Sequence, residues 1–238
     1  MKDLEELVTT PTGRKWLQEA GPWADEKIRP SPRHDETNFT IQETRIEDCD
    51  VDPRKIVGTS HASYNQGMTW RKFLAYGNRI KTKLDVLETK PEYYDDPKEH
   101  ATDSEPWHLV EINGELYTSI GNHRSVVAKF RAHEEGRVKQ RVWSVDRLVV
   151  SDTAKRQYDE LQAEYLPGES DRGPERELIG KVGSSKRFQI FVDCHLHGLD
   201  SRVHRLPIEE AAAYVRKRNR VGKAVLKFAP SLWKRLFN

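Results

Sequence analysis

The residues best suited to chemistry lie together near the centre of the chain, in the run Gly121-Asn122-His123-Arg124-Ser125. If a helix begins here, its first N–H groups lack internal partners and carry the positive end of the helix dipole, so they attract anions. Gly121 allows close backbone approach, Arg124 can form a bidentate contact, and His123 can donate a hydrogen bond or transfer a proton near neutral pH. Asn122 or Ser125 can cap the helix or contact an oxygen. The run predicts a phosphate site, and a plain helix start capped by Asn122 explains it about equally well.

The elements around this run are well marked. Trp107–Ile112 is predicted to be a strand, Asn113-Gly114 a tight hairpin turn, and Glu115–Ile120 the returning strand. A helix is predicted from Arg124 to His133, ended by Gly136, and another strand within Arg137–Val150. The pattern therefore places the candidate site at a strand-to-helix turn.

Further elements are predicted on either side of this centre. Residues 1–20 and Trp70–Leu87 have helical spacing, the latter capped by Thr69, and Ile41–Ile46 is a short strand. After the centre, the predicted elements are a helix Asp152–Tyr165, a linker Pro167–Pro174, a strand Phe188–Val192, a helix Ile208–Arg218 and a short helix near Ser231–Leu236.

The segment Trp107–Val150 resembles the core of the ParB/sulfiredoxin superfamily, in which a strand hairpin leads through a Gly-x-x-Arg turn into a helix rich in small apolar residues and then a strand. The run Asp50–Ile56 is similar to the opening strand of ParB N-terminal domains. The resemblance implies a mixed α+β (α/β) ParB/sulfiredoxin-like domain with added helices at both ends. The expected organisation is an N-terminal extension (1–40), a nucleotide-binding core (41–150) and a C-terminal extension (151–238).

The resemblance also implies a ligand. The matching positions Gly121, Asn122, His123 and Arg124 are expected to hold the phosphates of ATP or CTP, usually with magnesium. Two branches are disfavoured. Sulfiredoxins carry a catalytic Cys where this chain has Asn122, and the chromosome-segregation ParB proteins continue into a helix-turn-helix array that is not predicted here.

The leading hypothesis is an ATPase with nuclease activity that acts on DNA, similar to the plasmid fertility-inhibition and oncogenic-suppression proteins that block conjugative transfer. Asn122, His123 and Arg124 would then be catalytic, together with a magnesium-binding carboxylate at Asp50. Two alternatives stay open: a non-catalytic module that blocks a partner protein, and a serine-type small-molecule kinase.

The choice of Asp50 comes from an acidic cluster beside the first family-like strand, because hydrolases and kinases need a base and often metal ligands. Glu47, Asp48 and Asp52 belong to the same cluster, and Glu111 and Glu115 flank the hairpin as a second choice. Ordinary surface charge is the more frequent explanation for any single one of these residues.

The C-terminal segment is strongly basic within a chain whose formal net charge is only +2, because no acidic residue follows Glu210. We expect this segment to contact DNA phosphates; packing against the domain is an equally good explanation, and contact with a membrane or a partner's groove is a weaker one. The predicted nucleic-acid contacts are Arg216, Lys217, Arg218, Arg220 and Lys223.

A strand carrying Asp193, His195 and His197 would place three metal-ligand types on one face, suited to zinc or iron. A polar strand face with Cys194 and Leu196 in the core is the favoured explanation.

The chain shows no apolar run long enough to span a bilayer and no signal-peptide pattern at its start, and its two cysteines suggest no disulfide framework. These features predict a cytoplasmic protein.

Overall fold

The computed structural model describes residues 10–96, 99, 106–165, 169–196 and 203–228. The chain divides into two compact units, one formed by Thr44–Leu148 with the described residues up to Pro32, the other by Arg33–Glu43 with the described residues from Val149 onward. Both units contain helices and strands. The mixed α/β class predicted from the sequence is confirmed, and the ParB-like arrangement stays a hypothesis.

The strands are β1 (Arg29–Pro30), β2 (Thr40–Val51), β3 (Ile56–Thr59), β4 (His108–Ile112), β5 (Glu115–Ile120), β6 (Gln140–Val150), β7 (Ser170–Val182), β8 (Ser185–His195) and β9 (Val203–Pro207). The α-helices are α1 (Pro11–Glu19), α2 (His34–Thr37), α3 (Trp70–Tyr76), α4 (Ile80–Thr89), α5 (Glu92–Asp95), α6 (Asn122–Glu135), α7 (Asp152–Glu164) and α8 (Ile208–Phe228). Short 3-10 turns occupy Pro22–Asp25 and Pro53–Lys55.

In the first unit the strand order is β1-β3-β5-β4-β6-β2. β3 runs parallel to β5, β4 antiparallel to β5, and β6 parallel to β4. The predicted hairpin is confirmed: Asn113 and Gly114 both have positive φ, 49° and 88°, as a tight two-residue turn requires. Because this hairpin lies at the centre of the sheet, it fixes where β5 ends and α6 begins.

The helix α6 packs on β3 and β5 and carries much of the first core. Val126, Val127, Ala128 and Phe130 are all buried. Gly136 ends the helix in a left-handed conformation, as predicted. The predicted start at Arg124 is two residues late, since Asn122 already belongs to the first turn.

The prediction of a single helix over Trp70–Leu87 is wrong, because α3 ends at Tyr76 and a separate helix, α4, begins at Ile80. Thr69 does cap α3, its Oγ1 accepting from the N–H of Lys72. At the break, a Cβ on Gly77 would lie 2.7 Å from Ile80 Cγ1 and 2.8 Å from the Phe73 ring. Because Gly77 has no side chain, the buried residues Phe73 and Ile80 can pack into the space that a Cβ at position 77 would occupy.

The second unit is built on an antiparallel sheet in which β8 pairs with β7 and with β9. Its core includes Ile190, Val192 and Cys194 from β8 and Ala211 and Val215 from α8. The predicted linker Pro167–Pro174 is wrong from residue 170 onward, where β7 has begun; β8 is longer than the predicted strand, and α8 continues past Arg218. The helix predicted near Ser231–Leu236 and residues 1–9 of the first predicted helix lie outside the described residues.

Candidate functional site

A cavity of about 640 Å³ opens beside the first turn of α6, inside the first unit. Its wall comes from three places: the loop after β3 (His61, Tyr64), the start of α4 (Asn78, Arg79, Lys83) and the run Ser119–Arg124. The predicted residues Gly121, Asn122, His123 and Arg124 all line this cavity, and Ser125 is not among the lining residues.

Gly121 is the residue before α6 and has φ +95°, a left-handed conformation that side chains rarely adopt. A Cβ at this position would lie 2.8 Å from Trp107 Cδ1 and 3.2 Å from Arg124 Nε. Glycine is therefore required for the turn itself, and its missing side chain makes room for the indole of Trp107 and the guanidinium of Arg124.

Ser125 lies beneath the turn. Its Oγ is 2.9 Å from Trp107 Nε1, which donates to it, and 2.9 Å from Thr118 Oγ1. The side chain is almost fully buried. Its predicted place against a ligand is therefore not what the structure shows, and its hydroxyl instead connects α6 to β5 and to Trp107, the residue before β4.

Asn122 connects the helix start to the end of β3. The Oδ1 atom of Asn122 lies 2.5 Å from the Oγ1 atom of Thr59. The same Thr59 hydroxyl lies 3.0 Å from the carbonyl oxygen of Thr118 and accepts a hydrogen bond from the N–H of His61. Asn122 makes no side-chain cap, because the cap position belongs to Gly121. The contact holds the loop that carries His61 and Tyr64 against the first turn of α6.

His123 is half-buried among aromatic rings. Its ring meets those of Tyr64 and Phe73 edge-on, at centroid distances of 5.6 and 5.3 Å, and its Nε2 is 3.5 Å from the Tyr64 hydroxyl. Burial is the main cause that lowers the pKa of His123 from its ordinary 6.5 to about 4, and the positive charges of Arg79 and Lys83 contribute to the same shift. The imidazole is therefore neutral at neutral pH and available as a hydrogen-bond donor or acceptor.

In the described part of the chain, three basic side chains line the cavity: Arg79, Lys83 and Arg124. Arg124 is only 4% exposed, on the first turn of α6, while Arg79 is exposed and Lys83 Nζ donates to the Tyr93 hydroxyl at 2.8 Å. None of the lining residues in the described part of the chain is an Asp or a Glu. Together with the positive end of the α6 dipole, these cations give the cavity the charge that an anion-binding site requires.

Asp50, the predicted magnesium ligand, does not reach this cavity. It is exposed on β2, which follows β4 and β6 in the sheet order from β5, about 14 Å away at about 4.8 Å per strand. The predicted metal centre is therefore not assembled by the fold, because sequence proximity to the first strand did not reveal that two strands intervene.

The other candidate carboxylates that are described have basic partners of their own. Asp48 pairs with Arg141 at 2.6 Å, Asp52 with Arg54 at 2.9 Å, Glu111 with Arg147 at 2.9 Å and Glu115 with Arg29 at 2.7 Å. Within the described residues, no three His, Cys, Asp or Glu side chains converge as a metal site. The part of the chain that the structure describes thus offers no carboxylates suited to magnesium at the cavity.

The predicted DNA-contacting residues lie on α8 in the second unit and divide into two groups. Arg216 pairs with Glu164 at 2.8 Å, and Arg218 pairs with Glu169 at 2.6 Å, where the Glu169 side chain is 0% exposed. Lys217 and Arg220 are exposed. The side chain of Lys223 lies outside the described residues. Two of the five predicted contacts, Arg216 and Arg218, therefore pair with carboxylates of their own unit.

The metal-like strand pattern is also placed in the second unit. Asp193 on β8 accepts a 3.0 Å hydrogen bond from Arg205 on β9, and Cys194 is buried, with its Sγ 3.3 Å from the Tyr165 hydroxyl. His195 ends β8 and is not fully buried, and His197 lies outside the described residues.

Sequence reasoning missed His61, Tyr64, Asn78, Arg79 and Lys83 as site residues. The loop residues His61 and Tyr64 carry no recognisable motif. Arg79 and Lys83 fell inside a helix predicted as continuous, where charges normally mark the solvated face. Their spacing of four residues, which puts both on one helix face, was the one usable signal.

No family model matches the chain, and neither a curated protein nor a solved structure matches it. The ParB/sulfiredoxin resemblance therefore stays a hypothesis from the sequence. In the described part of the chain no helix is both long enough and apolar enough to cross a membrane.

Proposed function

We propose that this protein binds a nucleoside polyphosphate in the cavity at the start of α6. The observation that carries the proposal is the convergence of Arg79, Lys83 and Arg124 with a helix N-terminus on a cavity that no carboxylate lines in the described residues. Phosphate groups match this charge, because unpaired backbone N–H groups and guanidinium forks both bind their oxygens.

The neutral part of the wall supports a ligand larger than phosphate alone. His61 and Tyr64 lie on one side, with ring centroids 4.6 Å apart, and Tyr64 is itself stacked on Phe73 at 4.1 Å. Aromatic rings of this kind stack on nucleobases. The cavity volume of about 640 Å³ also falls within the usual range for small-molecule sites.

Calorimetry with ATP and CTP tests the proposal. We expect Arg124→Ala to abolish measurable binding, because Arg124 supplies a charge-assisted contact beside the helix start. Arg131→Ala is the matched control, since Arg131 is a similarly buried arginine of α6 that pairs with Glu135 and Asp95 and does not line the cavity. Unchanged affinity in Arg124→Ala would sink the assignment.

The ATPase and nuclease activities on DNA, with inhibition of plasmid transfer as the biological role, are the extension of this proposal that rests on the ParB/sulfiredoxin resemblance. In that scheme Asn122, His123 and Arg124 hold the reacting phosphate and α8 holds DNA. Incubation with ATP and plasmid DNA tests it. Released phosphate and nicked circles would support it, and the absence of both products would contradict it.

One observation favours a second candidate, a nucleotide-binding module that acts by blocking a partner protein. No carboxylate base lines the cavity in the described residues, and the low pKa of His123 makes it a weak base. The same lack disfavours the serine-kinase alternative. Nucleotide binding without turnover, combined with nucleotide-dependent capture of a partner, would identify this second function.

A further inference from the structure

We infer that the cavity binds polyphosphate without a magnesium ion held by the protein, and that Arg79 and Lys83 of α4 neutralise the phosphates in place of the metal. This inference rests on the proposed function, and it departs from the metal-dependent binding that the ParB/sulfiredoxin resemblance implies.

The first support is the set of oxygen atoms available to a metal. Magnesium in nucleotide sites is held by one or two protein carboxylates together with the phosphates. The side-chain oxygens of the described lining residues belong to amides and hydroxyls only, and the amide oxygen of Asn122 already accepts from Thr59. Asp50 lies on β2, with β4 and β6 between it and β5. Among the described residues, magnesium therefore has no carboxylate ligand at the cavity.

The second support is the placement of the two cations. Arg79 is the residue before α4 and Lys83 lies one turn further, so both side chains project from the same face of the helix. Lys83 is oriented by Tyr93, whose hydroxyl accepts from Nζ and whose ring centroid lies 4.8 Å from it. A lysine held in this way needs little reordering to meet an anion.

The third support is that both charges act inside the cavity. Arg79 and Lys83 are the two strongest charged influences on His123, which lines the same cavity from the start of α6. The cations of α4 and the turn at Gly121 therefore face the same volume. An anion placed between them would contact Arg79 or Lys83 on one side and Arg124 with the helix N-terminus on the other.

The consequence is a preference for the metal-free ligand. A nucleoside triphosphate in complex with magnesium carries less negative charge than the free form, so it gains less from three protein cations. Magnesium should therefore compete with the protein for the ligand instead of bridging the two.

The experiment is calorimetry of ATP and CTP binding to the full chain, in EDTA and in excess MgCl₂ at matched ionic strength. We expect binding in EDTA to be at least as tight as in magnesium. In EDTA, Arg79→Ala and Lys83→Gln should each weaken binding about tenfold, as expected for loss of one charge-assisted contact. Glutamine at position 83 retains a donor for Tyr93, which guards against misfolding.

Lys81→Ala is the matched control, because Lys81 belongs to the same helix, pairs with Asp85 at 2.8 Å and does not line the cavity. Wild-type binding that requires magnesium would overturn the inference and leave the proposed function standing. Arg79→Ala and Lys83→Gln proteins that bind in EDTA as tightly as Lys81→Ala would also overturn it. Absence of wild-type binding in both buffers would instead remove the proposed function.

Discussion

At the scale of single residues, His123 has the most informative environment. Its pKa is about 4 because burial and the nearby cations disfavour the imidazolium. The role near neutral pH that the sequence suggested, proton transfer, does not suit the ligand-free protein. The residue instead reports on what occupies the cavity, since a nearby anion favours its charged form.

We therefore predict that nucleotide raises the pKa of His123. The shift is upward because phosphate oxygens stabilise the imidazolium and offset the repulsion from Arg79 and Lys83, so binding takes up a proton between about pH 4 and the raised value. NMR titration of the imidazole C–H signals, with and without saturating ATP, measures this directly, and we expect a rise of about one unit or more.

His133 is the internal control for that titration. It stands near the other end of α6, its pKa is also lowered to about 4 by burial, and its ring stacks on Trp23 at 3.8 Å. It does not line the cavity. A nucleotide that shifts both histidines equally, or neither, would contradict binding at the start of α6.

At the scale of elements, the connection from β5 to α6 sets the site. Gly121 makes the turn possible, and Ser125 fastens it from below through Trp107 and Thr118. Asn122 adds the link to Thr59 at the end of β3. Three elements thus hold one short turn, which keeps its N–H groups in place for an anion.

Gly121→Ala tests this connection. A side chain in the left-handed region costs about 1–2 kcal/mol, and the clash of the new Cβ with Trp107 adds to it, so we expect a loss of about 2–4 kcal/mol in the free energy of unfolding. Urea denaturation followed by Trp fluorescence measures it. Gly114→Ala is the control, since Gly114 also has positive φ but meets no atom within 4 Å; an equal loss in both variants would contradict the role of the Trp107 contact.

At the scale of the whole molecule, two units carry separate cores and separate charge. The first unit holds the basic cavity, and the second holds α8, whose arginines are partly neutralised by Glu164 and Glu169. A formal net charge of +2 for the whole chain therefore conceals where positive charge is available.

Two kinds of basic residue on α8 should respond differently to mutation. Arg218→Ala removes the guanidinium that pairs with the buried Glu169 carboxylate, so we expect a loss of about 2–4 kcal/mol in the free energy of unfolding. Lys217→Ala with Arg220→Ala should leave stability unchanged and, if α8 contacts DNA, weaken DNA binding while reducing its salt dependence. Thermal unfolding measures the first effect, and an unchanged Arg218→Ala melting curve would refute it. Fluorescence anisotropy of DNA binding at several salt concentrations measures the second, and unchanged DNA affinity in the double variant would refute it.

The sequence by itself determined the local features around the site. The Asn113-Gly114 hairpin, β5, and the stop of α6 at Gly136 were predictable, because positive φ angles and alternating or helical spacing are properties of neighbouring residues. The same reasoning identified Gly121 to Arg124 as a candidate anion-binding turn, because glycine allows close backbone approach and a helix start attracts anions, although a plain helix start explained the run equally well.

Only the tertiary structure decided which distant residues join that turn. It brought Arg79 and Lys83 to the cavity by breaking a helix at Gly77, moved Asp50 away by inserting β4 and β6, and turned Ser125 into the core. Strand order and helix breaks depend on packing between segments far apart in the chain, and no local pattern records them. The glycine turn at the start of α6 was therefore predictable from the sequence, whereas the cationic residues that line the cavity beside it were not.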